Sequence, residues 1–186
     1  MALQIYNTLT RMKETFVAQE SGKVKIYVCG PTVYDYIHIG NARPMIFFDV
    51  VRAYFENQGN DVSYVVNFTD VDDKMIRKAE QTGTTVPEVA DKFIQAYYED
   101  LDGLGIPRAT LNPRVTDNME NIIEFIQELV DRDFAYENGG DVFYRTRKFD
   151  DYGKLSQQNL DELQFGIRIE VDKRKENPED FVLWKA

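Results

Sequence analysis

From Lys23 to Cys29 the apolar residues Val24, Ile26 and Val28 alternate with Lys25, Tyr27 and Cys29, the period-two pattern of a strand with two unlike faces. The run stops at Gly30-Pro31. After a polar loop, Pro44 suits the first position of a helix, where its missing N–H would be unpaired in any case. Ile46, Phe47, Val50, Val51, Tyr54 and Phe55 then form a stripe of helical period, and Gly59 suits the left-handed residue after the last turn. Alternation resumes from Asp61 to Asn67 through Val62, Tyr64 and Val66. Strand, loop, helix and strand make a βαβ unit, whose ligands sit at the carboxyl ends of the parallel strands. Those ends are Cys29-Gly30 and Asn67-Phe68-Thr69.

Two amphipathic helices are predicted next. One runs from Asp72 to about Thr82 with Gly83 as its stop; the other runs from Pro87 to about Leu101, opened by the capping box Thr85-x-x-Glu88. Val89, Phe93, Ala96, Tyr97 and Leu101 share one side of the second. After Pro113-Arg114-Val115-Thr116 a further helix turns Ile122, Ile123, Ile126, Leu129 and Val130 toward a core, with Asp117-x-x-Glu120 as its cap. Asn138-Gly139-Gly140 between Phe134–Glu137 and Asp141–Arg145 signals a hairpin. A short helix near Leu160 to Leu163 and strands at Ile167 to Val171 and Phe181 to Lys185 complete the reading. A domain boundary is expected near Pro113.

Composition narrows the function classes. With 43% hydrophobic and 13% aromatic residues the chain folds. Its 22 Lys and Arg against 32 Asp and Glu give a formal net charge of -10, which argues against embracing nucleic acid over a broad surface. The single Cys29 forms no internal disulfide, and with no segment of signal-peptide or membrane-spanning type a cytoplasmic address and no membrane partner are expected.

The stretch from Cys29 to Arg43, CGPTVYDYIHIGNAR, lies between a strand end and a helix start, where free backbone N–H groups and the helix dipole favour an anion. Gly30 and Gly40 permit close backbone approach, and His38 and Asn41 are spaced to offer donors to one phosphate. The plainer reading is a capped turn with a buried histidine.

The whole string resembles the HIGH signature of class I aminoacyl-tRNA synthetases. The flanking Cys29-Gly30-Pro31-Thr32-Val33-Tyr34 and Asn67-Phe68-Thr69-Asp70-Val71-Asp72-Asp73-Lys74 narrow the resemblance to the cysteinyl-tRNA synthetase family. It extends through Pro113-Arg114-Val115-Thr116, Tyr152-Gly153-Lys154-Leu155-Ser156 and Asn177-Pro178-Glu179-Asp180-Phe181-Val182-Leu183-Trp184-Lys185, essentially the whole chain. The fold class it implies is α/β. The resemblance implies that residues 1–113 form the amino-terminal half of a Rossmann-like (HUP-type) nucleotide-binding fold and that residues 114–186 begin a small α+β connective-peptide lobe.

The implied reaction is activation of L-cysteine by ATP, taken as its Mg²⁺ complex, followed by transfer to the cysteine tRNA by a monomeric parent. His38 and Asn41, the latter standing where the motif's name has a second histidine, donate to the ATP phosphates. Gly30, Pro31, Thr32, Tyr34, Gly40 and Thr69 line the nucleotide and substrate site, and Arg43 braces the loop. The later aspartates of the second string are equally readable as the acidic first turn of a helix.

In the family the position of Cys29 supplies one ligand to a Zn²⁺ that takes the substrate thiolate, a bond serine cannot match. On residue type alone, an isolated thiol is a small buried hydrophobe. This chain holds no second cysteine, and its one histidine belongs to the phosphate loop, so the zinc site is expected to be incomplete and metal uptake substoichiometric. The KMSKS loop, a second βαβ half and the anticodon-binding helices are expected outside these 186 residues, and the isolated chain is expected to form no adenylate. Trp184, as the only tryptophan, is expected in the core. Two other readings stand beside this one: a ligase joining cysteine to an amino sugar through the same adenylate, and a non-catalytic domain that binds a nucleotide or a partner.

Overall fold

The computed structural model describes residues 3–158, 160 and 172–186. The helix expected near Leu160 to Leu163, apart from Leu160, and the strand expected at Ile167 to Val171 lie outside the described residues. The chain divides into two compact units, one of residues 17–119 and one of residues 1–16 with 120–186.

In the first unit β1 (Lys23–Val28) and β2 (Asp61–Val66) pair in parallel, in register from Lys23 opposite Asp61 to Val28 opposite Val66. Helix α1 (Ile39–Asn57) connects them. Alternation on β2 buries Val62, Tyr64 and Val66 and continues to Phe68 just beyond it. A third parallel segment then joins without forming a full strand. The N–H of Val66 donates to the Leu111 carbonyl at 3.1 Å, and that of Phe68 to the Pro113 carbonyl at 2.8 Å.

Helices α2 (Asp73–Thr82) and α3 (Val86–Gly103) close the other side of the core. Gly83 ends α2 in the left-handed region at φ 65°, and the capping box of Thr85 and Glu88 opens α3. Met75 and Ala79 of α2 and Val89, Phe93, Tyr97 and Leu101 of α3 pack about Phe68, whose ring meets the edges of Tyr97 and Tyr98 at 5.1 and 5.8 Å. The stripe read on α1 is not buried as a whole. Ala42, Met45 and Phe55 go inside, whereas Ile46, Phe47, Val50 and Tyr54 stay exposed.

The second unit holds α4 (Met119–Asp131), entered from a 3₁₀ turn at Thr116–Asn118 that has no side-chain cap, so Asp117 does not cap it. Ile122, Ile126, Leu129 and Val130 are half-buried, and Ile123 is exposed. Strands β3 (Ala135–Asn138) and β4 (Asp141–Tyr144) form the expected hairpin, with Gly139 and Gly140 at φ 66° and 88° as its two-residue turn. β5 (Phe181–Trp184) adds antiparallel to β4. Beneath them the buried Asp180 carboxylate accepts hydrogen bonds from the N–H groups of Thr146 and Asn177 and from the Tyr136 hydroxyl, each at 3.0 Å. Trp184 is half-buried on this edge strand rather than in the core.

The alternation rules gave no sign of a further hairpin in this unit, Gln4–Asn7 with Met12–Thr15, because Ile5, Tyr6 and Met12 are exposed and neither strand has an apolar face. Its turn rests on local polar bonds: the Asn7 side chain accepts from the Leu9 N–H at 3.0 Å, and the Asn7 carbonyl accepts from the Arg11 N–H at 2.7 Å.

Candidate functional site

The site begins where β1 and β2 end. The Gly30 N–H donates to Asn67 Oδ1 at 2.8 Å, and the Tyr27 hydroxyl donates to the same oxygen at 3.0 Å. A Cβ on Gly30 would lie 1.7 Å from the Asn67 carbonyl oxygen, so only glycine fits there. Pairing persists past the strands. The Val33 N–H donates to the Thr69 carbonyl at 3.1 Å, and the Thr69 N–H donates to the Pro31 carbonyl at 3.2 Å. Thr32 and Thr69 are thereby held side by side at the carboxyl ends of parallel strands, the place where open α/β sheets bind ligands.

The loop then leads to α1, and here the structure corrects the reading of the helix start. Pro44 lies inside the helix, about a turn past its first residue, Ile39. His38 is the N-cap. Its Nδ1 accepts from the Gly40 N–H at 3.0 Å, while Asn41 Oδ1 accepts from the His38 N–H at 3.0 Å. The two residues of the signature thus form a reciprocal capping box that satisfies two otherwise unpaired N–H groups and starts the helix earlier. An imidazole nitrogen that accepts carries no proton, so neutral His38 holds its proton on Nε2 as a donor. The Asn41 amide likewise keeps its Nδ2 hydrogens. His38 is exposed, contrary to the plain reading of a buried histidine.

Pro31, Thr32, Tyr34, Asp35, Asn41 and Lys74 are among the residues lining a cavity of about 240 Å³. His38 lines a separate hollow of about 200 Å³ with Ala42, Asp100 and Leu104. The structure therefore brings Pro31, Thr32, Tyr34 and Asn41 together, and couples His38 to Asn41 through the cap rather than through a shared cavity. Gly40 sits under the imidazole, where an added Cβ would stand 3.3 Å from Nδ1. Asp35 is held below the usual carboxylate range, first by its hydrogen bond from Lys78 at 3.0 Å and then by the Tyr36 N–H. The Lys74 ammonium lies 5.3 Å from the centre of the Tyr34 ring.

The aspartates after Thr69 divide by role. Asp70 is 2% exposed and accepts from the Thr116 N–H at 3.1 Å and from the Thr116 hydroxyl, which ties the Pro113–Thr116 stretch to the end of β2. Asp72 caps α2 through the Lys74 N–H at 2.8 Å, and Asp73 belongs to the acidic first turn. Asn67, Lys74 and the Asp70–Thr116 pair had no site or scaffold role in the sequence reading, although all four residues lie in the strings that carry the family resemblance. Arg43 is exposed and has no hydrogen bond or ion pair among the described residues, so it does not brace the loop by such bonds.

Cys29 is exposed at the end of β1, not a buried hydrophobe. Among the described residues no group of three or more His, Cys, Asp or Glu side chains is placed to hold a metal ion. One thiol does not fit a zinc centre, which takes about four ligands, or three and a substrate.

The βαβ unit, with a capped helix start at its strand ends, is an α/β arrangement of the kind found in class I synthetase catalytic domains. By fold it is similar to Mycobacterium tuberculosis methionyl-tRNA synthetase in complex with methionyl-adenylate, with a TM-score of 0.55 and 19% identity over 66% of this chain and 25% of that one. The chain belongs to the class I tRNA synthetases: the family described as "tRNA synthetases class I (C) catalytic domain" matches residues 15–186. It is 62% identical over its full length to the cysteine–tRNA ligase of Geobacillus thermodenitrificans (strain NG80-2). It is 61% identical over 98% of its length to that of Staphylococcus carnosus (strain TM300). The chain spans about 40% of the length of these relatives.

Proposed function

We propose that the full-length protein is a cysteine–tRNA ligase, which activates L-cysteine with ATP and transfers it to tRNA, and that this chain supplies the amino-terminal part of its catalytic domain, with the lobe after residue 113 as the start of a connective insertion. The observation that carries the reading is the His38 cap, which leaves an Nε2–H donor and the Asn41 amide at the start of α1. The relatives' names supply the amino acid.

In the first step a carboxylate oxygen of cysteine attacks the α-phosphorus of ATP. A bond forms between that oxygen and phosphorus, the bond from the α-phosphorus to the bridging oxygen breaks, and pyrophosphate leaves with the electron pair. No protein nucleophile is required, so the residues act by positioning and by stabilising charge. His38 Nε2–H and the Asn41 amide donate to phosphate oxygens as negative charge builds on them. Pro31, Thr32 and Tyr34 shape the cavity, and Thr69, fixed beside Thr32, contacts the amino acid. The exposed thiol of Cys29 is one soft donor at the strand end.

A charging assay tests this reading. Full-length protein with ATP and radiolabelled cysteine is expected to label tRNA and not an amino sugar. Labelling of the amino sugar alone would favour the thiol-forming ligase, and labelling of neither would favour a domain that binds without turnover.

A further inference from the structure

We propose that Lys74 is an anion-holding residue of this site, contacting the polyphosphate of the nucleotide from α2 while Asn41 contacts it from α1. The inference rests on the ligase reading above and names a group which that reading leaves unused.

Lys74 lines the cavity of about 240 Å³ together with Asn41, Thr32 and Tyr34. Its ammonium rests over the Tyr34 ring at 5.3 Å and has no carboxylate partner among the described residues. A neighbouring lysine behaves differently. Lys78, a turn further along α2, is taken by Asp35 at 3.0 Å. That pairing also neutralises the carboxylate that lines the cavity, which removes the repulsion an incoming anion would meet.

In a chain of net charge -10, a lysine without a countercharge beside a polar cavity is the local electrostatic attraction for an anion. The start of α2 does not compete for the role, because the Lys74 N–H is occupied by the Asp72 cap at 2.8 Å. The side chain is what remains to bind, with three N–H donors held over an aromatic face. A polyphosphate is favoured over a carboxylate because the cavity is shared with Asn41, whose side-chain Nδ2 hydrogens can engage a second set of oxygens beside those held by the ammonium.

The test measures inorganic pyrophosphate binding by calorimetry, and KM for ATP and for cysteine in pyrophosphate exchange, on the full-length protein and its Lys74→Gln and Lys74→Arg variants. Lys74→Gln is expected to weaken pyrophosphate binding and raise the KM for ATP by about 10- to 100-fold, the worth of one hydrogen bond to a charged group. The KM for cysteine should change less than about twofold, Lys74→Arg should recover most of the loss because it keeps the charge, and the thermal midpoint should not move. A rise confined to the KM for cysteine assigns the anion to the amino-acid carboxylate and overturns the proposal. Unchanged binding and kinetics overturn it in favour of a solvated lysine. Lys74-dependent pyrophosphate binding by a protein that shows no cysteine-dependent exchange would sustain the anion site and overturn the ligase reading.

Discussion

At the scale of single residues, substitutions can separate the observed cap role of His38 from the donor role proposed for it. Its Nδ1 caps α1, and the same bond leaves the Nε2–H as a hydrogen-bond donor. Replacing it by alanine removes a cap and is expected to cost about 1 kcal/mol of stability, read from denaturant unfolding. Asparagine ranks among the best N-caps, so His38→Asn should hold stability to within about 0.5 kcal/mol while removing the imidazole donor. Gly30 is constrained more simply. Gly30→Ala drives a methyl to 1.7 Å from the Asn67 carbonyl and forces the two strand ends apart. A loss of about 1–3 kcal/mol is expected for such overpacking, and an unchanged unfolding midpoint would show that the backbone yields freely.

At the scale of elements, the parallel pair, α2, α3 and the glycine hairpin were legible because each follows one dominant local rule: period two, period 3.6, a capping box, or two residues with positive φ. The start of α1 was not, because the rule favouring proline at a first helical position competes with a cap built from His38 and Asn41, and the cap satisfies more backbone groups. The third segment beside β2 was invisible for another reason. Its pairing is long-range, made by backbone bonds to β2 and Phe68, and its far end is anchored by Asp70, a carboxylate that sequence alone places equally well in a helical first turn. Thr116→Val removes the hydroxyl donor from that buried carboxylate and is expected to cost about 1.5–3 kcal/mol. Loss below about 0.5 kcal/mol would mean that the Thr116 N–H suffices. Of the candidate site, Pro31, Thr32, Tyr34 and Asn41 lie in the signature stretch and line one cavity, whereas the placement of Lys74 in that cavity and the bond from Gly30 to Asn67 required the geometry.

For the molecule as a whole, a net charge of -10 says where its cations matter rather than whether it meets nucleic acid. The link from Asp35 to Lys78 joins the signature loop to α2, and it gives the chain a pH-dependent feature. Because Asp35 is depressed in the folded state, its contribution is present above its unfolded pKa and is lost as pH falls through the folded value. The gap in unfolding midpoint between the native sequence and Asp35→Asn should therefore narrow on acidification below the ordinary carboxylate range. A gap that is constant with pH would show that the pair contributes nothing. Among the described residues no helix is long and apolar enough to cross a membrane.

The central claim is that the capped start of α1 performs the phosphate chemistry of amino-acid activation. Cysteine-dependent exchange of pyrophosphate into ATP, measured on the full-length protein and on His38→Asn, tests it most directly. The expected result is exchange that requires cysteine in the native protein and a loss of several hundredfold in a variant of unchanged stability, on the order of the 2.7–4 kcal/mol carried by one transition-state donor. Near-native exchange by the folded variant, or exchange that does not depend on cysteine, would contradict it.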